Sequence, residues 1–170
     1  MKTLDLDRLN RETPYHVYPT DEVNRFVINT DHDVKYSVYF DEDDFLLSGE
    51  SYQFGITNTN HKKSPRDLKI RDTILLLIEE FFRQNNVSLL YICETGDGKQ
   101  IMRSRLFDHW YMSYQRNWQF VYMSASITDA EGIRNFAAMI VRKDNPNLTQ
   151  IVSEFSETIQ LLNDKPEHEL

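Results

Sequence analysis

Residues 64–93 read SPRDLKIRDTILLLIEEFFRQNNVSLLYIC and contain the pattern that decides the fold, a long apolar helix followed by a buried strand. Ser64 suits an N-cap, Pro65 suits the first helical position, and Asp67 places a carboxylate three residues after the cap. The pattern therefore predicts a helix that begins at this point. Its apolar face consists of Ile70, Ile74, Leu77, Ile78 and Phe81, widened by Leu75, Leu76 and Phe82. A face of this width predicts a deeply buried helix.

The helix is predicted to end at residues 84–86 (QNN) and to lead into a strand that is covered on both faces. Residues 87–93 are apolar at every position except Ser88, as in a central strand of a sheet. Such a strand after a helix is most simply parallel to the strand before that helix.

Before the helix, the sequence predicts three strands. Residues 23–40 contain two runs of alternating apolar side chains, and turn-forming residues (NTDHD) lie between them at 29–33. We therefore expect a hairpin with one solvated face. Tyr52, Phe54 and Ile56 alternate as a third strand, which is most simply antiparallel to the second.

After the buried strand, the sequence predicts a second helix, two more strands and a last helix. A turn at 94–98 precedes the second helix. The predicted core stripe of that helix consists of Met102, Leu106 and Trp110, flanked by Phe107 and Tyr114. Residues 118–127 and 134–142 are the two predicted strands, and the last helix is expected to start at Asn145.

The predicted order βββαβαββα indicates an α+β fold with a mixed, mostly antiparallel sheet of about six strands and three helices. A chain of 170 residues has the size of one domain, so we expect residues 1–170 to form a single domain. Residues 1–20 lack periodicity and are expected to be an irregular N-terminal arm. Residues 163–170 are expected to be a polar tail.

The composition excludes several classes of protein. The five glycines, at positions 49, 55, 96, 98 and 132, are too scattered for a glycine-rich phosphate loop of either common type. The lone Cys93 excludes an internal disulfide and a cysteine-based metal cluster, and it is more typical of a small buried side chain than of a nucleophile. The five histidines show no paired spacing. We therefore predict no metal site and no cofactor.

The net charge indicates which classes of partner are disfavoured, and the N-terminal residues indicate the expected cell compartment. With 19 basic and 27 acidic residues the formal net charge is −8, which repels phosphate backbones and disfavours nucleic acid as a partner. Residues 1–8 place carboxylates where a signal peptide has its apolar stretch, and no apolar run approaches the ~18 residues of a membrane span. We expect a cytoplasmic protein with no membrane partner.

Two stretches carry a family resemblance, RDTILLLIEEFF at 71–82 and YIC at 91–93 followed by DGKQ at 97–100 and RSRLFDHW at 103–110. They resemble an uncharacterised family of small bacterial proteins, typical of the Bacteroidota and known only as a domain of unknown function. The resemblance covers about residues 50–115. It implies a bacterial cytosolic protein and brings no known activity, substrate or catalytic residue.

The predicted topology is also similar to that of the acetyl-CoA-dependent N-acetyltransferase superfamily. Residues 105–107 (RLF), before an aromatic strand, are similar to its helix-to-strand passage. That superfamily holds the cofactor's pyrophosphate on a glycine-containing turn between its third strand and helix. Residues 58–65 (NTNHKKSP) contain no glycine there, and Pro65 lacks an amide donor. This departure argues against binding of acetyl-CoA.

The first candidate site is a basic cluster at the predicted helix start. Five of the 19 basic residues fall within positions 61–71, among them the four candidate anion-binding residues, Lys62, Lys63, Arg66 and Lys69. Cations beside a helix N-terminus can bind a phosphate, a nucleotide or an acidic partner. The alternative is a solvated helix start, in which Asp67 and Asp72 neutralise two of the charges.

The second candidate site is the second helix and the turn after it, whose candidate partner-binding residues are Arg103, Arg105, His109, Tyr111 and Arg116. Aromatic side chains interleaved with arginine can anchor a protein partner. The same aromatic residues also fit a strand face in the core. Asp108 could pair with Arg105, or it could orient His109 as a general base, although no nucleophile is identifiable.

These residues favour a non-enzymatic binding domain for an unknown protein or an acidic small-molecule partner. The alternative is a divergent or degenerate acyl-CoA-dependent N-acetyltransferase-like enzyme. A gap between the third and fourth predicted strands would favour the enzyme, because acyl-CoA enters such a gap in that superfamily. A continuous ladder would favour the binding domain. The sequence names neither the partner nor an oligomeric state.

Overall fold

A computed structural model describes residues 1–44, 46, 49–93 and 99–164 of the chain. The elements are α1 (Leu6–Asn10), β1 (Val17–Pro19), β2 (Arg25–Asn29), β3 (Lys35–Asp43), β4 (Ser51–Asn58), α2 (Leu68–Gln84), β5 (Ser88–Cys93), α3 (Gln100–Ser113), a 3₁₀ helix (Asn117–Gln119), β6 (Phe120–Thr128), β7 (Arg134–Arg142) and α4 (Leu148–Asn163). From β2 onward the order of helices and strands is βββαβαββα. The predicted order is confirmed.

The strands follow the order β1-β2-β3-β4-β5-β7-β6 in a mixed sheet. Antiparallel pairing joins β1 with β2, β2 with β3, β5 with β7 and β6 with β7. The α+β class is therefore confirmed, with seven strands where about six were predicted and four α-helices where three were predicted. No helix in the described part of the chain is long and apolar enough to cross a membrane.

The chain divides into two compact units. The first unit comprises Met1–Asp41 and Phe54–Asn86, and the second comprises Glu42–Gln53 and Val87–Leu170. The chain passes between the units within β3, within β4 and between α2 and β5. The single domain expected from the chain length stays a prediction.

The core of the first unit is built around α2. Phe81 is fully buried, and its ring is stacked on that of Phe40 from β3, with centroids 4.8 Å apart and planes 1° apart. Phe26 and Phe54 contact the Phe40 ring in edge-on and tilted geometries, so aromatic side chains from three strands surround one helix face. All the predicted face residues of α2 are buried except the half-buried Leu76. The prediction of a deeply buried helix is confirmed.

Two short elements, α1 and β1, lie within the segment that was expected to be irregular. Polar groups of α2 and of its C-cap residue hold the N-terminal segment. The Asp5 amide donates to Glu80 Oε1 at 3.0 Å, and the Lys2 amide donates to Oδ1 of the C-cap Asn85 at 2.8 Å. Asp5 in turn caps α1. Elements of five and three residues are too short to show a period in the sequence, which is why the pattern missed them.

The start of α2 also differs from the prediction. The helix begins at Leu68 and Asp67 is its N-cap, with its carboxylate accepting from the amides of Lys69 at 2.9 Å and Ile70 at 3.3 Å. The expected cap, Ser64, instead shares a 2.6 Å hydrogen bond with the Tyr36 hydroxyl. Serine and aspartate are both common N-cap residues. A carboxylate makes the stronger, charge-assisted hydrogen bond to free amides, which favours Asp67 as the cap. The start at Ser64 was therefore wrong.

In the second unit, helices cover opposite faces of β6. Alternating residues Val121, Met123 and Ala125 pack toward the buried cluster of α4, which contains Ile151 and Phe155. Tyr122, on the opposite face, stacks on Tyr111 of α3. The last helix begins at Leu148 and not at Asn145. Asn145 forms the preceding turn, since its side chain accepts from the Asn147 amide and its carbonyl accepts from the Leu148 amide.

Candidate functional site

In the first unit, the basic cluster lies on a loop between β4 and α2 that hydrogen bonds hold in place. The Asn58 side chain donates to the Lys62 carbonyl at 2.7 Å, and the Lys35 amide of β3 donates to Asn60 Oδ1 at 3.2 Å. His61 adopts a positive φ of 54°, which turns the chain sharply at this point. The side chains of Lys62, Lys63 and Arg66 are exposed on this ordered loop.

The four candidate anion-binding residues do not all have the same surroundings. Lys69 forms an ion pair with Asp31 at 2.7 Å, and this hydrogen bond raises the pKa of the lysine. Among the described residues, Lys62, Lys63 and Arg66 form no ion pair. The amides at the start of α2 are bonded to the Asp67 carboxylate, which occupies the place that an external anion would take. Anion binding by these four residues stays a prediction.

Tyr15 holds the Asp67 cap in place, a role that sequence analysis missed. The Tyr15 hydroxyl donates to Asp67 Oδ2 at 2.6 Å and accepts from the Asp31 amide at 3.3 Å. Burial, followed by the bond to Asp67, raises the pKa of Tyr15 to about 12, so its hydroxyl keeps the donated proton at neutral pH. No sequence spacing connects Tyr15 with Asp67, because 52 positions separate them.

Replacing Asp67 with Ala should lower the free energy of unfolding by about 1–2 kcal/mol, because two amides and the Tyr15 hydroxyl lose their acceptor. Urea denaturation followed by circular dichroism measures this loss. Ser64→Ala is the matched control and should change stability by about 0.5 kcal/mol or less, as for an ordinary surface position. A larger loss for Ser64→Ala than for Asp67→Ala would place the working cap at Ser64.

In the second unit, α3 packs with a face that differs from the predicted one. Phe107 and Tyr111 are buried, and the ring of Phe107 stacks on that of Tyr91 with centroids 4.3 Å apart. Met102 and Leu106, two residues of the predicted core stripe, are exposed. The predicted stripe was therefore wrong. Apolar residues occur all around this helix, so the sequence period could not select the buried side.

The five candidate partner-binding residues fall into three environments. Arg103, Arg105 and His109 are exposed on α3. Arg116 is half-buried, with its Nε atom 3.2 Å from the Tyr114 hydroxyl. Tyr111 is buried, its hydroxyl donates to the Asn117 carbonyl at 3.0 Å, and burial raises its pKa to about 12. The buried Tyr111 contributes to the core of the unit and does not lie on its exposed surface.

The predicted pairings of Asp108 are not present. Asp108 accepts a hydrogen bond from the hydroxyl of Tyr122 on β6, so its carboxylate is directed toward the sheet. Among the described residues it forms no ion pair with Arg105. His109 is exposed beside it, and successive residues on a helix do not face each other. The arrangement expected of an oriented general base is therefore absent from this helix.

One side of α3, which we call the α3 outer face, combines exposed apolar and basic side chains. It consists of Met102, Arg103, Arg105, Leu106, His109 and Met112. Met102 is 68% exposed, Leu106 50% and Met112 70%, and Trp118 in the following 3₁₀ helix is 65% exposed. Asp108 is the only acidic residue from 100 to 119. The face can bind apolar side chains and carboxylates together.

No group of metal-binding side chains occurs within the described ranges. The side chain of Cys93 and the predicted turn at 94–98 lie outside the described residues, as does most of the polar tail.

A protein-family model matches residues 66–157, from just before α2 into α4. The match extends further toward the C-terminus than the resemblance over residues 50–115. No curated protein and no solved structure matches the chain.

Proposed function

The chain belongs to the Family of unknown function (DUF6169), and because that membership brings no activity, we propose from its own residues that it is a binding domain for an acidic protein partner. The α3 outer face is the proposed binding surface. The observation that carries the proposal is the exposure of large apolar side chains among basic ones on a single helix.

The apolar part of the face supports a protein partner. Single exposed apolar residues are normal on any surface, but Met102, Leu106 and Met112 share one short helix and Trp118 follows it closely. Methionine, tryptophan and arginine are enriched at protein interfaces, where methionine adapts its shape to the partner. A small acidic molecule would use the charges of the face and leave these apolar side chains in water.

The charged part of the face supports an acidic partner. The chain as a whole has 27 acidic against 19 basic residues, yet the exposed charges of α3 are those of Arg103 and Arg105. Asp108, the one acidic residue of this helix, directs its carboxylate to the Tyr122 hydroxyl on β6. A partner segment with alternating carboxylates and apolar side chains would match both components.

The test uses synthetic peptides of equal length and the intrinsic fluorescence of Trp118. One peptide contains Glu and Leu, the second Glu and Ser, and the third Lys and Leu. We expect saturable binding of the Glu/Leu peptide alone, with a change in emission that is reduced in Trp118→Phe, where Trp110 is the remaining tryptophan. Equal binding of the Lys/Leu peptide, or no binding of the Glu/Leu peptide, would contradict the proposal.

Variants locate the binding surface. Leu106→Ser and Arg105→Glu should each weaken binding of the Glu/Leu peptide at least about tenfold, which corresponds to about 1.4 kcal/mol. Leu161→Ser is the matched control, since Leu161 on α4 is 71% exposed but lies outside the proposed surface. An equal effect of Leu161→Ser would show that the peptide responds to general apolar exposure.

The acetyltransferase-like enzyme remains the alternative. The hydrogen-bonded order of β4 and β5, with the Ser88 amide donating to the Glu50 carbonyl at 3.3 Å, supports the binding domain over a splayed acyl-CoA site. Acetyl-CoA is therefore included as a fourth ligand in the titration. Saturable binding of acetyl-CoA that is lost when Lys62, Lys63 and Arg66 are replaced together would favour the enzyme.

A further inference from the structure

The five methionines of the chain occupy contrasting environments. Met102 and Met112 are exposed on the α3 outer face. Met139 on β7 is completely buried, and Met123 on β6 packs against the buried cluster of α4. Met1 at the N-terminus is half-buried. The methionine side chains that solvent reaches most readily are therefore those of α3.

An exposed thioether sulfur reacts with a peroxide. The sulfur lone pair attacks one oxygen of hydrogen peroxide, and the O–O bond breaks. The attacked oxygen stays on the sulfur as a sulfoxide, while its hydrogen passes to the second oxygen, which leaves as water. The sulfur gives up two electrons and the peroxide takes them, so no further reductant or oxidant is needed. The product is polar where the thioether was apolar.

A sulfoxide at Met102 changes both components of the α3 outer face. Met102 lies four residues before Leu106, so the two side chains are neighbours and share one apolar area, which a polar sulfoxide interrupts. Met102 also lies three residues before Arg105, a spacing at which the sulfoxide oxygen can accept a hydrogen bond from the guanidinium. Arg105 then has an acceptor on its own helix and is less available to a partner's carboxylate.

We propose that Met102 and Met112 are sites of reversible oxidation, through which a peroxide lowers partner binding at the α3 outer face. The proposal rests on the proposed function, because the binding that it regulates is that of the acidic partner. The buried Met139 and the packed Met123 are shielded, so the surface is modified while the core of the second unit stays intact. Methionine sulfoxide reductases, which act on one epimer each, return the sulfoxides to thioethers.

Peptide mapping by mass spectrometry tests the two sites without any partner. The full chain is treated with hydrogen peroxide, and the gain of one oxygen is followed over time at each methionine. Met102 and Met112 should oxidise at least about tenfold faster than Met139 in the folded chain, and the rates should converge in concentrated urea. Equal rates in the folded chain would overturn the proposal and leave the proposed function untouched.

Titration with the Glu/Leu peptide tests the effect on binding. After oxidation the dissociation constant should rise at least about tenfold, and treatment with both reductases should restore it. Circular dichroism and thermal melting establish that the oxidised chain is folded. If the selectively oxidised chain binds the peptide as tightly as the untreated chain, the proposal is wrong.

Two variants assign the effect to these positions. Replacing Met102 and Met112 together with Leu keeps apolar side chains of similar volume and retains Cys93, so peroxide should no longer change the dissociation constant. Adding Leu161→Met to that double variant places an exposed methionine on α4, where oxidation should occur without an effect on binding. A loss of binding after peroxide in either variant would contradict the proposal. An untreated wild-type chain that binds no peptide would instead overturn the proposed function, and the regulation with it.

Discussion

Replacing Leu77 with Ala is expected to lower the free energy of unfolding by about 2–5 kcal/mol. Leu77 is completely buried in the middle of α2, within the core of the first unit. The substitution removes apolar contacts and leaves a cavity that the surrounding side chains fill only in part, because packed cores relax little. Urea denaturation, followed by far-ultraviolet circular dichroism, measures the loss.

Leu68→Ala is the matched control for Leu77→Ala. Leu68 is the first residue of the same helix but is 48% exposed, so its replacement makes no closed cavity. We expect a loss of about 0.5 kcal/mol or less, as for other surface positions. Equal losses at the two positions would mean that the buried face of α2 is assigned wrongly.

The second large effect is expected from Glu80→Ala, with a loss of about 2–3 kcal/mol. Glu80 is buried, and its carboxylate accepts from the Asp5 amide, from Arg83 Nη1 at 2.7 Å and from Gln84 Nε2 at 2.9 Å. Truncation leaves these donors without their acceptor. Arg83 is partly exposed and can turn to water, so the loss should stay below that of breaking a fully buried ion pair.

Hydrogen exchange distinguishes this anchoring role from a general packing role. In Glu80→Ala the exchange of the amides of residues 1–10 should accelerate relative to the wild-type chain, because the Asp5 amide loses its bond to α2. The acceleration should be larger there than at the amides of β2. Glu79→Ala is the control, since Glu79 also pairs with Arg83 but accepts no bond from the Asp5 amide. If exchange at residues 1–10 does not change, Glu80 does not anchor this segment.

The parts of the fold that the sequence predicts well are those governed by local patterns. The apolar repeat of α2 and the apolar run of β5 identify buried elements, because their burial follows a pattern among residues that are close in the sequence. The start of α2 is different, since Tyr15 reaches Asp67 from 52 positions away and reinforces the cap there. A contact of that range leaves no periodic trace in the sequence.

In the candidate sites, the sequence identifies the type of each residue but not whether its side chain is exposed or buried. Arg103, Arg105 and His109 were selected by type and are exposed. Tyr111 was selected with them but is buried, because α3 has apolar residues on two sides and only packing against β6 determines which side faces inward. Lys69 was grouped with Lys62 and Lys63, but its ion pair with Asp31 depends on the distant β2–β3 turn.

The parallel aromatic stacks give each compact unit its own spectroscopic reporter. The rings of Phe40 and Phe81 lie face to face in the first unit, and those of Tyr111 and Tyr122 lie 4.3 Å apart in the second. Because each ring lies in the shielding region of its neighbour, ring currents displace proton resonances of both pairs from their random-coil positions. Nuclear magnetic resonance can therefore follow the melting of the two units separately within one sample, with no label attached to the chain.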